Sequence, residues 1–291
     1  MTVFNLGSLI IDHVYRVPRF VQPGETLATE RYTRFVGGKG LNQSLALARA
    51  GVSVRHAGCI GGDGEMLRQT LADAGVDVSL LRRVDQPSGS AVVQVDRSGE
   101  NCILLHTGAN DCVDPAMLEA VLAVAAPGDW LLMQHETPCV ADMIRAAAAA
   151  GLVVALNPAP MAPEIIHYPL HLLNYVVVNE AEGRQLTGEG EPAAVLAALG
   201  DRLPKCHTVL TLGAAGAMYC GPEGECRVPA NRVDAVDTTG AGDTFIGFFL
   251  AARIAGKAVK ASLSWACRAA AVCVQQEGAA PSIPLREAVD S

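Results

Sequence analysis

Excess basic charge, paired cysteines and long apolar runs are all missing from this sequence, and each absence removes a class of function. Acidic residues outnumber Lys and Arg by 30 to 22, for a formal net charge of −8, so no basic patch suited to nucleic acid is expected. Anionic small ligands stay open, because backbone amides bind phosphate without side-chain charge. The nine cysteines include no CxxC pair. Their odd number and irregular spacing fit neither a disulfide framework nor a zinc site, and reduced thiols in a cytoplasmic protein are expected. The seven histidines show no HExxH spacing, and no metal site is expected of them. No GxxxxGK followed by Ser or Thr occurs, which excludes a Walker A loop. No apolar run approaches the roughly 18 residues of a membrane span. The opening Met1-Thr-Val-Phe-Asn-Leu-Gly7 has no basic stretch before an apolar one, so no signal peptide is expected.

What is present is an alternation. An Ala-rich amphipathic stretch ends in Ala-Gly and a β-branched run follows, at Ala50-Gly51-Val52-Ser53-Val54, Ala74-Gly75-Val76-Asp77-Val78 and Ala150-Gly151-Leu152-Val153-Val154. Gly just past a helix end suits the left-handed position there, and the run after it suits a strand. The same reading predicts helices at 116–126 and 193–199, with strands at 130–134, 173–178 and 208–212. Helix and strand in alternation imply an α/β fold with a parallel-rich central sheet covered by helices on both faces. Two regions interrupt it. Residues 13–36 alternate loosely around Pro18, Pro23 and Gly24, and residues 89–107 read as a hairpin turning at Arg97-Ser-Gly-Glu100. A chain of 291 residues then reads as one α/β domain, 1–291, with a small β-insertion beside it. Ordinary edge strands remain the plainer alternative.

The segment richest in chemistry is Val236-Asp237-Thr238-Thr239-Gly240-Ala241-Gly242-Asp243-Thr244-Phe245, which runs into an apolar helix. Small residues at a helix start let several backbone N–H groups and the helix dipole face one ligand, an anion hole for a transferred phosphoryl group. Asp243 at that helix start should stay ionised and can take a proton from an attacking hydroxyl. It can equally serve as a helix cap, and the residues alone leave both open. The second segment is Gly37-Gly38-Lys39-Gly40-Leu41-Asn42-Gln43, again leading into a helix. Its glycines permit close backbone approach, while Lys39 and Asn42 offer donors to hydroxyls or phosphate. Alone it reads equally well as a surface turn.

In this order and separation the two segments resemble the paired signatures of the ribokinase (PfkB) family of carbohydrate kinases. The resemblance extends through nearly the whole chain. It takes in Gly7-Ser-Leu-Ile-Ile-Asp12, Pro23-Gly-Glu-Thr26, Ser98-Gly-Glu-Asn101, Val178-Asn-Glu-Ala-Glu182, Thr211-Leu-Gly-Ala-Ala-Gly216 and Gly278-Ala-Ala-Pro-Ser-Ile-Pro284. It implies a ribokinase-like α/β fold with a small β-sheet lid over the sugar, and ATP-dependent phosphorylation of a primary hydroxyl of a pentose, D-ribose first. Asp243 would be the base and Gly240, Ala241 and Gly242 the anion hole, with Lys39 beside them. Asp12, Gly38, Lys39, Asn42 and Glu136 would hold the sugar. Asn179 and Glu182 would organise Mg²⁺ through water, and Thr211, Gly213 and Gly216 with Gly242 would line the nucleotide pocket. Asp237, Thr239, Cys273, Gln276, Gly278 and Ser282 match the loop pair that binds an activating K⁺. A homodimer through the lid is also implied.

One departure bears on the substrate. The family's ribose-phosphorylating members read G-S-x-N-x-D on the first strand, and their Asn helps hold the sugar; here that position is Ile10. An apolar side chain cannot replace a bond to a hydroxyl, a loss of about 1–3 kcal/mol. A deoxyribose or nucleoside kinase on the same scaffold is therefore the first rival. A catalytically silent sugar- or nucleotide-binding regulator is the second, and the retained Asp243 and N-x-x-E pair speak against it. His135, Trp130, Met133, Cys267 and Cys273 read as packing residues.

Overall fold

A computed structural model describes residues 1–290 of the chain. Helices α1 (Lys39–Arg49), α2 (Glu65–Asp73) and α4 (Val140–Ala149) end at the three Ala-Gly pairs. The glycines that follow adopt positive φ, 95° at Gly51, 80° at Gly75 and 77° at Gly151, so the chain reverses there at little steric cost. Helix α3 (Pro115–Leu122) stops short of its expected end at Ala126, since the residue before Pro127 disfavours helix. The remaining helices are α5 (Glu180–Thr187), α6 (Pro192–Arg202), α7 (Ala241–Ile254), α8 (Val259–Cys273), α9 (Ala279–Ser282) and α10 (Arg286–Asp290).

The main sheet comprises β1 (Val3–Leu6), β4 (Val54–Ile60), β5 (Asp77–Arg83), β8 (Trp130–Gln134), β9 (Val153–Asn157), β10 (Tyr175–Asn179), β11 (His207–Thr211), β12 (Ala217–Gly221) and β13 (Gly224–Val228). Their spatial order is β13-β12-β11-β10-β9-β8-β1-β4-β5. Neighbours from β5 across to β11 run parallel, whereas β11, β12 and β13 run antiparallel to one another. The β12–β13 hairpin breaks the alternation expected from sequence, because Pro222 and the positive-φ Gly224 turn the chain back before a helix can form.

Side chains alternate across this sheet with period two. Trp130 and Leu132 join the core under α1, α7 and α8, while Leu131 and Met133 join the core under α3, α4 and α6. Both faces are thus covered, as continuous apolar strands require. A second, four-stranded sheet stands apart, in the order β3-β2-β6-β7. It is built from β2 (Ile10–Arg16), β3 (Arg31–Gly37), β6 (Gly89–Val95) and β7 (Asn101–His106). The two irregular regions of the sequence are therefore one sheet, in which β2 pairs parallel to β6 and each pairs antiparallel to its own hairpin partner.

Candidate active site

Strand β1 is flanked by β4 and β8, and the chain proceeds outward in both directions from it. That is a topological switch point, where open α/β sheets leave a crevice beyond their carboxyl ends. Gly7 follows β1, and α1 begins against it. A Cβ at Gly40 would lie 2.4 Å from the Ser8 nitrogen, so this glycine serves to seat the helix start on the strand end. Across the switch point, Ser8 Oγ donates to Glu136 Oε2, and the Lys39 N–H reaches the same oxygen at 3.0 Å. Asp12 faces the crevice from β2. Its carboxylate lies so near β3 that a Cβ at Gly37 would be 2.2 Å from Asp12 Oδ2.

Asp243 sits in the first turn of α7 and is nearly buried. Asn42 Nδ2 donates to its Oδ2 at 3.0 Å and Gln43 Nε2 to its Oδ1 at 2.9 Å. Burial pushes the Asp243 carboxyl above the usual carboxylate range, against the pull of Lys39, Gln43 and Asn42. The helix end alone favours a simply ionised group; desolvation opposes ionisation and makes the carboxylate a stronger proton acceptor. Glu136 is likewise raised by burial, with Lys39 and Ser8 opposing. Burial and then the nearby Glu136 bring Asp12 up to about 7. Burial disfavours the Lys39 ammonium, but Asp243, Glu136 and Glu182 together outweigh it and keep the amine charged.

At the start of α7 the Ala241 N–H bonds to the Thr238 carbonyl at 3.2 Å, and the Thr244 N–H to the Gly240 carbonyl at 2.8 Å. Among the described residues, the N–H groups of Gly240, Gly242 and Asp243 have no protein acceptor. The amides left for an anion are therefore those three, and Ala241 contributes its small side chain. Beyond its own helix backbone and chain neighbours, no atom lies within 4 Å of where a Gly242 Cβ would stand.

Two cavities meet here. The larger, of about 450 Å³, lies between the second sheet and the main body and is lined by Ile10, Asp12, Gly38, Lys39, Asn42, Glu136, Gly240 and Asp243. The smaller, of about 140 Å³, is lined by Asn157, Asn179, Glu182, Thr211 and Gly242 as well as by Lys39, Gly240 and Asp243. Lys39, Gly240 and Asp243 belong to both walls. Gly213 and Gly216 lie outside these two cavities, in the turn from β11 to β12; a Cβ at Gly216 would meet the Val228 carbonyl at 2.1 Å.

Asn179 and Glu182 form a capping box at the start of α5. The Asn179 backbone N–H and Nδ2 each donate to a Glu182 oxygen at 2.9 Å. Each carboxylate oxygen accepts one of these bonds and has capacity for another, and both residues line the smaller cavity, which fits contact with Mg²⁺ through water. On the other side, Asp237 ties two loops together. Its Oδ1 accepts from Thr239 N at 2.9 Å and Oγ1 at 2.6 Å, and its Oδ2 from Gly278 N at 2.9 Å. Cys273 Sγ and Ser282 Oγ lie 3.1 Å apart behind them, and the Gln276 N–H bonds to the Cys273 carbonyl at 3.2 Å. The oxygen-rich pair of loops fits a hard monovalent cation held largely by carbonyls.

His135 packs outside the cavities, its Nδ1 2.8 Å from the Tyr168 hydroxyl. Gln43 and Asn157 were not singled out by the sequence. The one available signal for Gln43 was a polar triplet, Asn42-Gln43-Ser44, inside an otherwise apolar helix, and all three prove buried.

The doubly wound sheet, the crevice at its switch point and the covered carboxylate at a helix start are an arrangement that suits a phosphotransferase acting on an alcohol group. Comparison of the sequence bears this out: residues 2–286 match the description "pfkB family carbohydrate kinase", and the chain belongs to that family. It is 39% identical to a ribokinase of Haemophilus influenzae over 98% of this chain and 96% of that one. It is 37% identical to a ribokinase of Schizosaccharomyces pombe over 100% of this chain and 97% of the other. The structure of Arabidopsis thaliana ribokinase complexed with ribose and ATP superposes with a TM-score of 0.88, at 29% identity, covering 99% of this chain and 96% of that one.

Proposed function

We propose that the protein transfers the γ-phosphoryl group of ATP to the primary hydroxyl of D-ribose, giving ribose 5-phosphate and ADP. The observation that carries this reading is the shared wall: Lys39, Gly240 and Asp243 stand where the two cavities meet. The larger cavity takes the sugar, with Asp12, Asn42 and Glu136 accepting from and donating to its hydroxyls around the Gly38–Lys39 backbone. The smaller takes the phosphates. Asp243 accepts the proton of the primary hydroxyl, the oxygen attacks the γ-phosphorus, and the bond to the β-phosphate oxygen breaks as ADP leaves. The free amides of Gly240, Gly242 and Asp243 and the Lys39 ammonium face the charge on the transferred group. Asn179 and Glu182 would hold Mg²⁺ through water, and the ion would neutralise phosphate charge there. K⁺ in the Asp237–Gly278 loop pair would hold the anion-hole backbone in place.

The four-stranded sheet, formed by insertions at about 13–36 and 89–107 of a single kinase domain, acts as a lid that keeps water from the γ-phosphate. Nine unpaired thiols suit the reducing cytoplasm.

The test is coupled ADP release with Mg·ATP and ribose, 2-deoxyribose, fructose or adenosine, in potassium and in choline salts. Asp243→Asn should lower turnover by about 10²–10⁴-fold while ATP still binds; turnover near the parent level would sink the assignment of the base. A second reading, a 2-deoxyribose kinase, is favoured by the buried Ile10 in the sugar cavity. It becomes the conclusion if 2-deoxyribose has the higher kcat/KM.

A further inference from the structure

We propose that Gln43 is the positioning residue for Asp243, and that its own orientation is imposed by a buried chain of amides ending on a backbone carbonyl. Gln43 is fully buried and lines neither cavity, so it touches neither substrate. Its Nε2 donates to Asp243 Oδ1 at 2.9 Å and to Asn157 Oδ1 at 3.2 Å. Its Oε1 accepts from Gln134 Nε2 at 2.7 Å. With Asn42 on Oδ2, both carboxylate oxygens are held, which fixes the plane of the carboxylate as well as its position.

The direction of each amide follows from groups that can only accept. Asn5 Nδ2 donates to the Gly40 carbonyl at 2.7 Å and to Ser44 Oγ at 2.8 Å, so Asn5 Oδ1 faces Gln134. Gln134 Nε2 then donates to that oxygen at 3.0 Å and to Gln43 Oε1. This leaves the donor end of Gln43 toward Asp243. Asn157 is set independently, its Nδ2 donating to the Val177 carbonyl at 3.1 Å. Ser44 closes the chain on His56 Nδ1 at 2.8 Å. His56 is buried and, by desolvation, brought down to about 4, so the chain carries no titrating proton near neutrality. Asn5, Gln43, Ser44, His56 and Gln134 are all fully buried. Buried polar groups of this number are costly for packing alone, and apolar residues would hold α1 as well.

This inference rests on Asp243 as the base. The groups facing Asp243 are Lys39 from α1, Glu136 beyond β8, Glu182 from α5 and Cys273 from α8. None of them is altered in Gln43→Met, which removes one donor from the carboxylate. Losing a hydrogen bond to a charged group weakens the ionised form by about tenfold, or about one pH unit. With both substrates saturating, the acidic limb of the kcat profile should therefore move to higher pH by about one unit. At a fixed pH on that limb the rate should fall about tenfold, and both KM values should change less than about threefold. Gln134→Met, which reaches Asp243 only through Gln43, should move the limb the same way by less. A folded Gln43→Met whose acidic limb is unmoved overturns the proposal, even if its Tm and rate are lower. Should that variant fail to fold, the parent protein decides. One glutamine side-chain amide signal in the nitrogen–proton NMR spectrum should follow the acidic limb and stop titrating in Asp243→Asn; no such signal overturns it. Retained turnover in Asp243→Asn removes the base assignment and this role with it, whereas an inactive Asp243→Asn with an unmoved limb in Gln43→Met removes the role alone.

Discussion

Ile10 opens β2 two residues before Asp12, so both side chains face the larger cavity. It packs tightly there: a Cβ at Gly89 would lie 2.6 Å from Ile10 Cδ1, and one at Gly38 3.1 Å from Cγ1. A hydroxyl laid against this side chain loses its partner from water and gains none, whereas a deoxy position loses nothing. Ile10→Asn should therefore raise the ratio of kcat/KM for ribose over 2-deoxyribose by about 5- to 150-fold, the range of one hydrogen bond of about 1–3 kcal/mol. Parallel assays on the two sugars measure this, and an unchanged ratio would show that no sugar hydroxyl meets position 10. At this scale the sequence was informative where a residue type carries chemistry in a glycine-rich frame, as with Lys39 and Asp243. It was silent about Gln43, whose partners are 91 to 200 positions away.

Among the elements, α1 and α7 decide the site, because one brings Asn42 and Gln43 and the other Asp243. Their approach depends on Gly247, where an added Cβ would lie 2.3 Å from Ala46 Cβ and 2.9 Å from the Ala46 carbonyl carbon. Gly247→Val should force the helices apart. The overpacking cost is about 1–3 kcal/mol, which lowers Tm by roughly 2–4 °C for each kcal/mol in a chain somewhat shorter than this one. Turnover should fall further than stability does, since the donors to Asp243 move with α1. Thermal melts and initial rates on the same preparation check this; a full loss of stability with turnover unchanged per folded molecule would contradict it. The helix ends at the Ala-Gly pairs were legible, because those pairs act locally, whereas the end of α3 at Leu122 was not. The β12–β13 hairpin was not, because its apolar run after β11 reads equally well as either element.

For the whole molecule, the exposed feature is β7 at the edge of the second sheet, with Ile103, Leu104 and Leu105 at 54%, 68% and 53% exposure. An uncovered apolar edge strand tends to recruit another chain, which supports the homodimer through the lid that the resemblance implies. Light scattering at micromolar concentration should give twice the monomer mass, and Leu104→Lys should shift it toward monomer. A monomeric parent protein would count against the dimer.

By itself the sequence determined the α/β class, the order of most helices and strands, the family and the place of Asp243 at a glycine-rich helix start. Helix periodicity, glycine ends and short anion-binding frames are local properties, written within a few adjacent residues. Only the tertiary structure decided that residues 10–37 and 89–106 make one sheet, that Lys39, Gly240 and Asp243 share two cavities, and that Asp243 is desolvated. It alone brought Gln43, Gln134, Asn5 and Asn157 into one hydrogen-bonded chain. Burial and hydrogen-bond partners of this kind depend on how distant segments pack, which no single stretch of the chain encodes.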